Sequence, residues 1–115
     1  MTEGCLFCRI VSKEIPATVV YEDDAVVAFE DIDPQAPTHI QIIPKRHIAR
    51  ISELSEADAP IMAQLVLAAN RLAKEREIAE SGYRLVINCN PGAGQSVYHI
   101  HLHLLGGRPM RWPPG

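Results

Sequence analysis

The sequence predicts a single α+β domain in which a mostly antiparallel sheet of five strands carries one main helix and a short N-terminal helix. Three observations indicate this class. The chain has 115 residues, the usual size of one domain, and we expect residues 1–115 to form it. Five short apolar runs are separated by turn residues, as strands are. One longer segment, residues 56–76, repeats apolar residues at helical spacing.

The predicted elements follow the order short helix, three strands, long helix, two strands. The short helix covers residues 5–13, where apolar residues share one face, and Pro16 stops it. Asp23 and Asp24 turn the chain between the first two strands, and a short connection favours a second hairpin between the last two. The five strands are predicted over residues 18–22, 25–30, 38–43, 83–89 and 97–105.

The long helix has recognisable signals at both of its ends. Ser55 followed by Asp58 resembles a capping box, although Pro60 favours Asp58 itself as the cap. At the other end the helix is expected to stop before Gly82.

Composition excludes several classes of function. The net charge is −3 and no basic stripe stands out, so we expect no direct contact with nucleic acid. No apolar run approaches the roughly 20 residues that span a bilayer, and the N-terminus lacks the features of a signal peptide. We therefore expect a cytoplasmic protein without a membrane partner. Three cysteines, an odd number, argue against a disulfide framework.

Residues 97–105 hold three of the five histidines of the chain. Because side chains alternate along a strand, His99, His101 and His103 are expected on one face, with the apolar residues between them packing under the helix. Three interpretations of this face are open. It is an ordinary polar outer face, a transition-metal site, or a site for nucleophilic and acid–base chemistry.

The glycine-rich loop before this strand favours phosphate chemistry. Residues 90–96 contain two glycines, which let backbone N–H groups approach an anion, and Ser96 adds a hydroxyl donor. Such a loop beside three histidines fits phosphate binding better than a bare metal site.

The segment His99-Ile-His101-Leu-His103-Leu-Leu105 resembles the motif of the histidine-triad (HIT) family, His-φ-His-φ-His-φ-φ with φ apolar. Further segments in the same order resemble its Hint branch: Lys13 to Pro16, Tyr21 to Asp24, Asp33 to His39, Ile43 to Lys45, Gly94 to Tyr98 and Arg111 to Gly115. The resemblance implies a homodimer whose two sheets join into one. It also implies hydrolysis of purine nucleoside 5′-phosphoramidates and aminoacyl-adenylates to the nucleoside monophosphate.

The same resemblance implies roles for individual residues. His101 corresponds to the nucleophile that forms a nucleotidyl-histidine. His103 and Ser96 would hold phosphate oxygens or the leaving group, and His39 would join the proton network of His101. No catalytic cofactor is expected.

The resemblance also implies a nucleotide pocket. Asp31 would accept hydrogen bonds from the ribose hydroxyls, Asn88 and Gly94 would complete the phosphate site, and Trp112 would approach the active site of the partner subunit. The pocket for the base would be lined by Phe7, Ile10, Phe29 and Ile32.

A CxxC pair suggests a structural zinc site. Cys5 and Cys8 lack a second CxxC, but His47 and His99 can complete a Cys₂His₂ set, as in some bacterial-type relatives. A redox pair and two packed thiols are the alternatives. Cys89 has no visible partner and is predicted to be a buried apolar residue.

Three other functions compete with the phosphoramidase prediction. A hydrolase of dinucleoside polyphosphates belongs to the same wider family, although the Hint-like C-terminus argues against it. A scaffold or regulatory protein would keep the nucleotide site with incidental hydrolysis. A metal-binding module would use the three histidines as ligands.

Overall fold

The structure is a computed structural model that describes residues 4–115. Its five strands form one antiparallel sheet in the order β1-β2-β3-β5-β4, and two helices lie on opposite faces of that sheet. This confirms the predicted α+β class. The elements are α1 (Leu6–Val11), β1 (Val19–Glu22), β2 (Val26–Glu30), β3 (Thr38–Pro44), α2 (Ala59–Glu75), β4 (Tyr83–Val86) and β5 (Leu102–Gly106).

The larger core lies between the sheet and α2. Alternate residues of the central strands, among them Ile40, Ile42 and Leu104, pack against Leu65 and Leu72 of the helix. The predicted packing of the apolar residues between the histidines under the helix is therefore confirmed, since Ile100, Leu102 and Leu104 all belong to this core. Removing such area from water stabilises the fold by roughly 25 cal/mol per Å².

A smaller core on the other face of the sheet holds α1. Phe7 and Ile10 of the helix pack against Val27, Phe29 and Ile43. Because both faces of β2 and β3 are covered, these strands are buried nearly throughout. A strand with one solvated face would instead alternate buried and exposed residues.

The last strand is shorter than predicted. β5 begins at Leu102, so residues 97–101 are not part of the ladder, and β4 ends at Val86 instead of residue 89. The connection between these two strands is therefore long, although they do pair as antiparallel neighbours. The cause is that residues 97–101 bond outside the sheet: the amide of Ile100, for example, donates to the carbonyl of Ile48 at 2.8 Å.

The helix ends also differ in detail from the predictions. α1 is shorter than residues 5–13 because Lys13 adopts a left-handed backbone (φ 69°), before Pro16 is reached. The long helix is preceded by a 3-10 turn at Glu56–Asp58, and both the amide and the hydroxyl of Ser55 donate to the Asp58 carboxylate, at 3.1 and 3.2 Å. The predicted Ser55–Asp58 capping box therefore forms at this turn, whereas Asp58, at the N-cap position of α2, makes no side-chain hydrogen bond to that helix.

Cys89 is half-buried, so the prediction of a buried apolar residue is wrong. Hydrogen bonds from Ser52 lower the pKa of its thiol, which is the behaviour of a polar group. Among residues 4–115, no helix is both long and apolar enough to cross a membrane.

Gly107 directly follows β5 and has a left-handed backbone conformation that would be strained by a side chain. Its φ is +91°, and an added Cβ would lie 2.9 Å from Cβ of Pro37. We expect Gly107→Ala to lower the free energy of unfolding by about 1–3 kcal/mol in urea denaturation. Gly92→Ala is the matched control, because a Cβ there meets nothing within 4 Å and the φ is not positive. Equal losses in the two variants would contradict this account.

Candidate active site and metal-binding cluster

His101 is held in one tautomer by a backbone carbonyl. Its Nδ1 lies 2.8 Å from the carbonyl oxygen of His99, and because that oxygen can only accept, Nδ1 carries the proton. Nε2 therefore keeps a free lone pair, as an attacking imidazole requires. The ring is buried and lies edge-on to Phe7, with centroids 5.1 Å apart.

His39 and His103 form a second, directed hydrogen bond. Nδ1 of His39 accepts the amide of Gln35 at 3.0 Å, so its proton is on Nε2. That Nε2–H donates to Nδ1 of His103 at 2.9 Å, and neutral His103 in turn carries its proton on Nε2. The direct partner of His39 is therefore His103, whose ring packs 5.1 Å from that of His101, and a role of His39 in the proton network of His101 stays a prediction.

Burial keeps the histidines beside the site neutral. It is the main cause that lowers the pKa of His101, opposed by the His99 carbonyl and by Asp31. For His103, burial together with the neighbouring His101 and His39 lowers the pKa to about 4. A neutral nucleophile and a neutral donor are what attack on phosphorus requires near pH 7.

An apolar pocket of about 490 Å³ is lined by Phe7, whose ring contacts that of His101. Phe7 and Phe29 both line it, and their rings pack edge-to-face at 5.4 Å. All five residues expected to hold the nucleoside line it: Phe7, Ile10, Phe29, Asp31 and Ile32. Ile32 is fully exposed at its rim. The predicted base and ribose residues therefore share one cavity, with His101 against its Phe7 wall.

Four other predicted binding residues do not line this pocket. Ser96 is exposed and lines a separate surface pocket with His47. Asn88 is half-buried, while Gly94 is exposed at the end of the loop, with φ +92°. Trp112 is 82% exposed, and its ring lies 5.9 Å from the Arg84 guanidinium of β4. Their contacts with phosphate or with a partner subunit stay predictions.

The four residues predicted to bind metal come together. Sγ of Cys8 lies 3.2 Å from Nδ1 of His47, and Nδ1 of His99 lies 3.4 and 3.5 Å from Sγ of Cys5 and Cys8. All four donor atoms lie within 4.8 Å of one another. Ligands of a tetrahedral zinc, at 2.0–2.3 Å from the ion, are roughly 3.3–3.8 Å apart. The donor set and its spacing therefore fit zinc.

Two further contacts suit a metal site. His99 donates its Nε2–H to the carbonyl of Pro44 at 2.7 Å, which directs Nδ1 towards the sulfurs as metal-bound histidines require. Sγ of Cys5 accepts the amide of Cys8 at 3.3 Å. Burial and the bond to Cys5 raise the pKa of the Cys8 thiol to about 11, so a metal would bind here with release of protons.

Two glutamines near the site have roles that the sequence did not predict. The amide nitrogen of buried Gln95 donates to the carbonyls of Ala49 and Val97, and its oxygen accepts the amide of Asn90 at 2.8 Å, which fixes the glycine-rich loop. Gln41 of β3 donates to Asp31 at 2.7 Å. A glutamine inside an apolar strand is the signal that points to Gln41.

Known proteins resemble this chain along nearly its whole length. The sequence profile of the HIT domain matches residues 12–110. The chain belongs to the HIT family. The purine nucleoside phosphoramidase of Escherichia coli K12 is 48% identical to this HIT protein over 110 residues, covering 96% of this chain and 92% of that one. The 14 kDa zinc-binding protein of Zea mays is 54% identical over 112 residues, covering 96% and 87%.

A solved structure agrees with the sequence relatives. The HIT family hydrolase from Legionella pneumophila Philadelphia 1 superimposes with a TM-score of 0.96 at 58% identity, covering 97% of this chain and 100% of that one. The HIT protein described here therefore has the fold of that HIT family hydrolase, with a Hint-like sequence.

The lowered pKa of His103 predicts how stability depends on pH. Between pH 6.5 and about 4 the unfolded chain binds a proton at this residue and the folded chain does not, so stability falls as the pH falls through that window. We expect His103→Asn to lose less stability than the native chain between pH 7.5 and 5.0, measured by urea denaturation. The same loss in both proteins would show that His103 does not contribute.

Proposed function

We propose that this HIT hydrolase cleaves purine nucleoside 5′-phosphoramidates and aminoacyl-adenylates to the nucleoside monophosphate through a nucleotidyl-His101 intermediate. The observation that carries the proposal is the hydrogen bond from His101 Nδ1 to the His99 carbonyl, which leaves Nε2 free in a buried, neutral ring beside the apolar pocket. The similarity to a purine nucleoside phosphoramidase supports the choice of substrate.

In the first step, Nε2 of His101 attacks the α-phosphorus. The N–P bond to histidine forms as the bond to the leaving group breaks. A phosphoramidate releases its amine, which takes up a proton from solvent, whereas an aminoacyl-adenylate releases a carboxylate, which needs no proton. His101 gains positive charge, which the His99 carbonyl stabilises by accepting the Nδ1–H. His103, whose Nδ1 is committed to His39, presents Nε2–H to the phosphoryl oxygens.

In the second step, water attacks the phosphorus of the intermediate. The O–P bond forms, the bond between phosphorus and His101 breaks, and the proton lost by the water goes to solvent, so the monophosphate leaves with His101 neutral again. Ser96, Asn88 and Gly94 belong to the proposal as phosphate contacts, which requires the loop that carries two of them to close on the substrate.

The nucleoside is proposed to bind in the pocket between α1 and the sheet. Phe7 and Phe29 offer apolar contact to a base, and such contact discriminates weakly between purines. Asp31, with its side chain 12% exposed at this pocket, would accept the ribose hydroxyls.

We also propose a homodimer and a structural zinc. β4 is an edge strand, and its Arg84 holds the C-terminal segment through the carbonyl of Arg111 at 3.0 Å, which keeps Trp112 beside the edge where a partner sheet would join. Zinc held by Cys5, Cys8, His47 and His99 would cross-link α1 to the sheet. Reduced thiols at this cluster suit the cytoplasmic location expected from the sequence.

The nucleophile is tested with adenosine 5′-phosphoramidate. We expect AMP release by the native chain, and a loss of about 10³-fold or more in His101→Ala, because no other group described at this site supplies a free imidazole nitrogen. Calorimetric binding of AMP is the control, since the pocket is built from other residues and the variant is expected to retain binding. Native protein that binds AMP without releasing it from the phosphoramidate would contradict the proposed reaction.

The zinc proposal is tested by metal analysis after purification without chelators. We expect about one zinc per native chain and almost none in Cys8→Ser, with a lower melting temperature, because a three-ligand site binds zinc weakly. Cys89→Ser is the matched control, because Cys89 lies outside the cluster, and its zinc content should equal that of the native chain. Native protein without metal after dialysis against zinc would contradict the proposal.

A further inference from the structure

Two donors converge on one oxygen of Asp31. Nε2 of Gln41 donates to Oδ2 at 2.7 Å, and Nε2 of His39 lies 3.4 Å from the same atom. The other oxygen, Oδ1, accepts the amide of Asp33 at 2.8 Å. The carboxylate is therefore fixed in orientation, and Gln41 is its closest side-chain partner.

His39 has a single proton to share between two acceptors. Because its Nδ1 accepts the amide of Gln35, only Nε2 can donate, either to Nδ1 of His103 at 2.9 Å or to Oδ2 of Asp31 at 3.4 Å. The shorter contact is the one to His103. The amide of Gln41 already satisfies one lone pair of the competing oxygen, which weakens the attraction of that oxygen for the His39 proton.

The position of Gln41 suits it to act on both groups. It lies on β3 directly opposite His103 of β5 and lines the apolar pocket next to Asp31. Its own oxygen, Oε1, is buried and has no hydrogen-bond partner among the described residues. An unpaired buried amide oxygen is unfavourable for stability, so an apolar side chain of the same shape would fit the fold at least as well. The amide is thus explained by its contact with Asp31.

Building on the proposed function, we infer that Gln41 is a positioning residue that sets the preference of the pocket for ribonucleotides over deoxyribonucleotides. Its amide holds the Asp31 carboxylate where it accepts ribose hydroxyls, and it keeps the His39 proton on His103. Without the amide, Oδ2 of Asp31 draws the His39 proton, the carboxylate turns towards the histidines, and Nδ1 of His103 loses its donor.

Calorimetric binding of AMP and of 2′-deoxyadenosine 5′-monophosphate tests the specificity. We expect the native chain to bind AMP about tenfold more tightly than the deoxynucleotide. Methionine is unbranched and as long as glutamine, and we expect Gln41→Met to reduce this ratio to about threefold or less through weaker AMP binding. Gln64→Met is the matched control on the exposed face of α2 and should keep the native preference. If Gln41→Met keeps the preference of the native chain for AMP over the deoxynucleotide, the inference is overturned.

The ligand-free protein gives an independent answer from the tautomers of the imidazoles. Long-range ¹H–¹⁵N correlation spectra should show His103 protonated at Nε2 in the native chain and in Gln64→Met, and a mixture of tautomers in Gln41→Met. Because no nucleotide is needed, this measurement separates the role of Gln41 from the proposed function, whose failure would appear as a native chain that binds no AMP.

A melting curve completes the test. We expect Gln41→Met to be as stable as the native chain or more so, because the variant removes an unpaired buried oxygen. A destabilised variant with unchanged nucleotide preference and unchanged His103 tautomer would assign Gln41 a packing role and overturn the inference.

Discussion

The site depends on His99, because its two ring nitrogens and its backbone carbonyl each contact a different part of the site. Its Nε2–H bonds to the carbonyl of Pro44, its Nδ1 faces the sulfurs of Cys5 and Cys8, and its own carbonyl accepts the proton of His101. The side chain is fully buried, so no solvent can replace a partner that is lost. The tautomer of the proposed nucleophile and the geometry of the cysteine cluster are therefore set together.

This arrangement explains why a very short helix can form part of a binding pocket. α1 has six residues, which is far too few for an isolated helix in water. It is held by the burial of Phe7 and Ile10 against the sheet and by Cys5, whose sulfur accepts the amide of Cys8 at the first turn. Since Phe7 is also a wall of the pocket and touches His101, any group that fixes the cluster also fixes the pocket.

The sequence predicted what depends on local pattern. Strand alternation placed Leu102 and Leu104 under the helix, and the CxxC with two distant histidines predicted a cluster that the structure brings together. The boundaries of β4 and β5 were wrong because residues 97–101 bond to the segment between β3 and α2, a long-range contact that leaves no local signal. Gln41 does leave a local signal, a glutamine inside an apolar strand, but its role depends on Asp31, ten positions earlier on another segment, which the pattern does not identify.

The two faces of the sheet divide stability from chemistry. The face under α2 is covered by a continuous apolar core, including Leu65 and Leu72 of the helix, and it supplies most of the burial that holds the fold. The face under α1 carries the groups that are unfavourable to bury, namely neutral histidines removed from water and the unpaired oxygen of Gln41. These buried polar groups are tolerated because β2 and β3 are packed on both sides and fix the backbone around them. Desolvation can therefore lower the pKa values of the histidines without unfolding the sheet. Chemistry is expected where perturbed pKa values and a cavity occur together. In this protein the histidines with lowered pKa values and the apolar pocket both lie on the α1 face of the sheet, and the core under α2 supports that face.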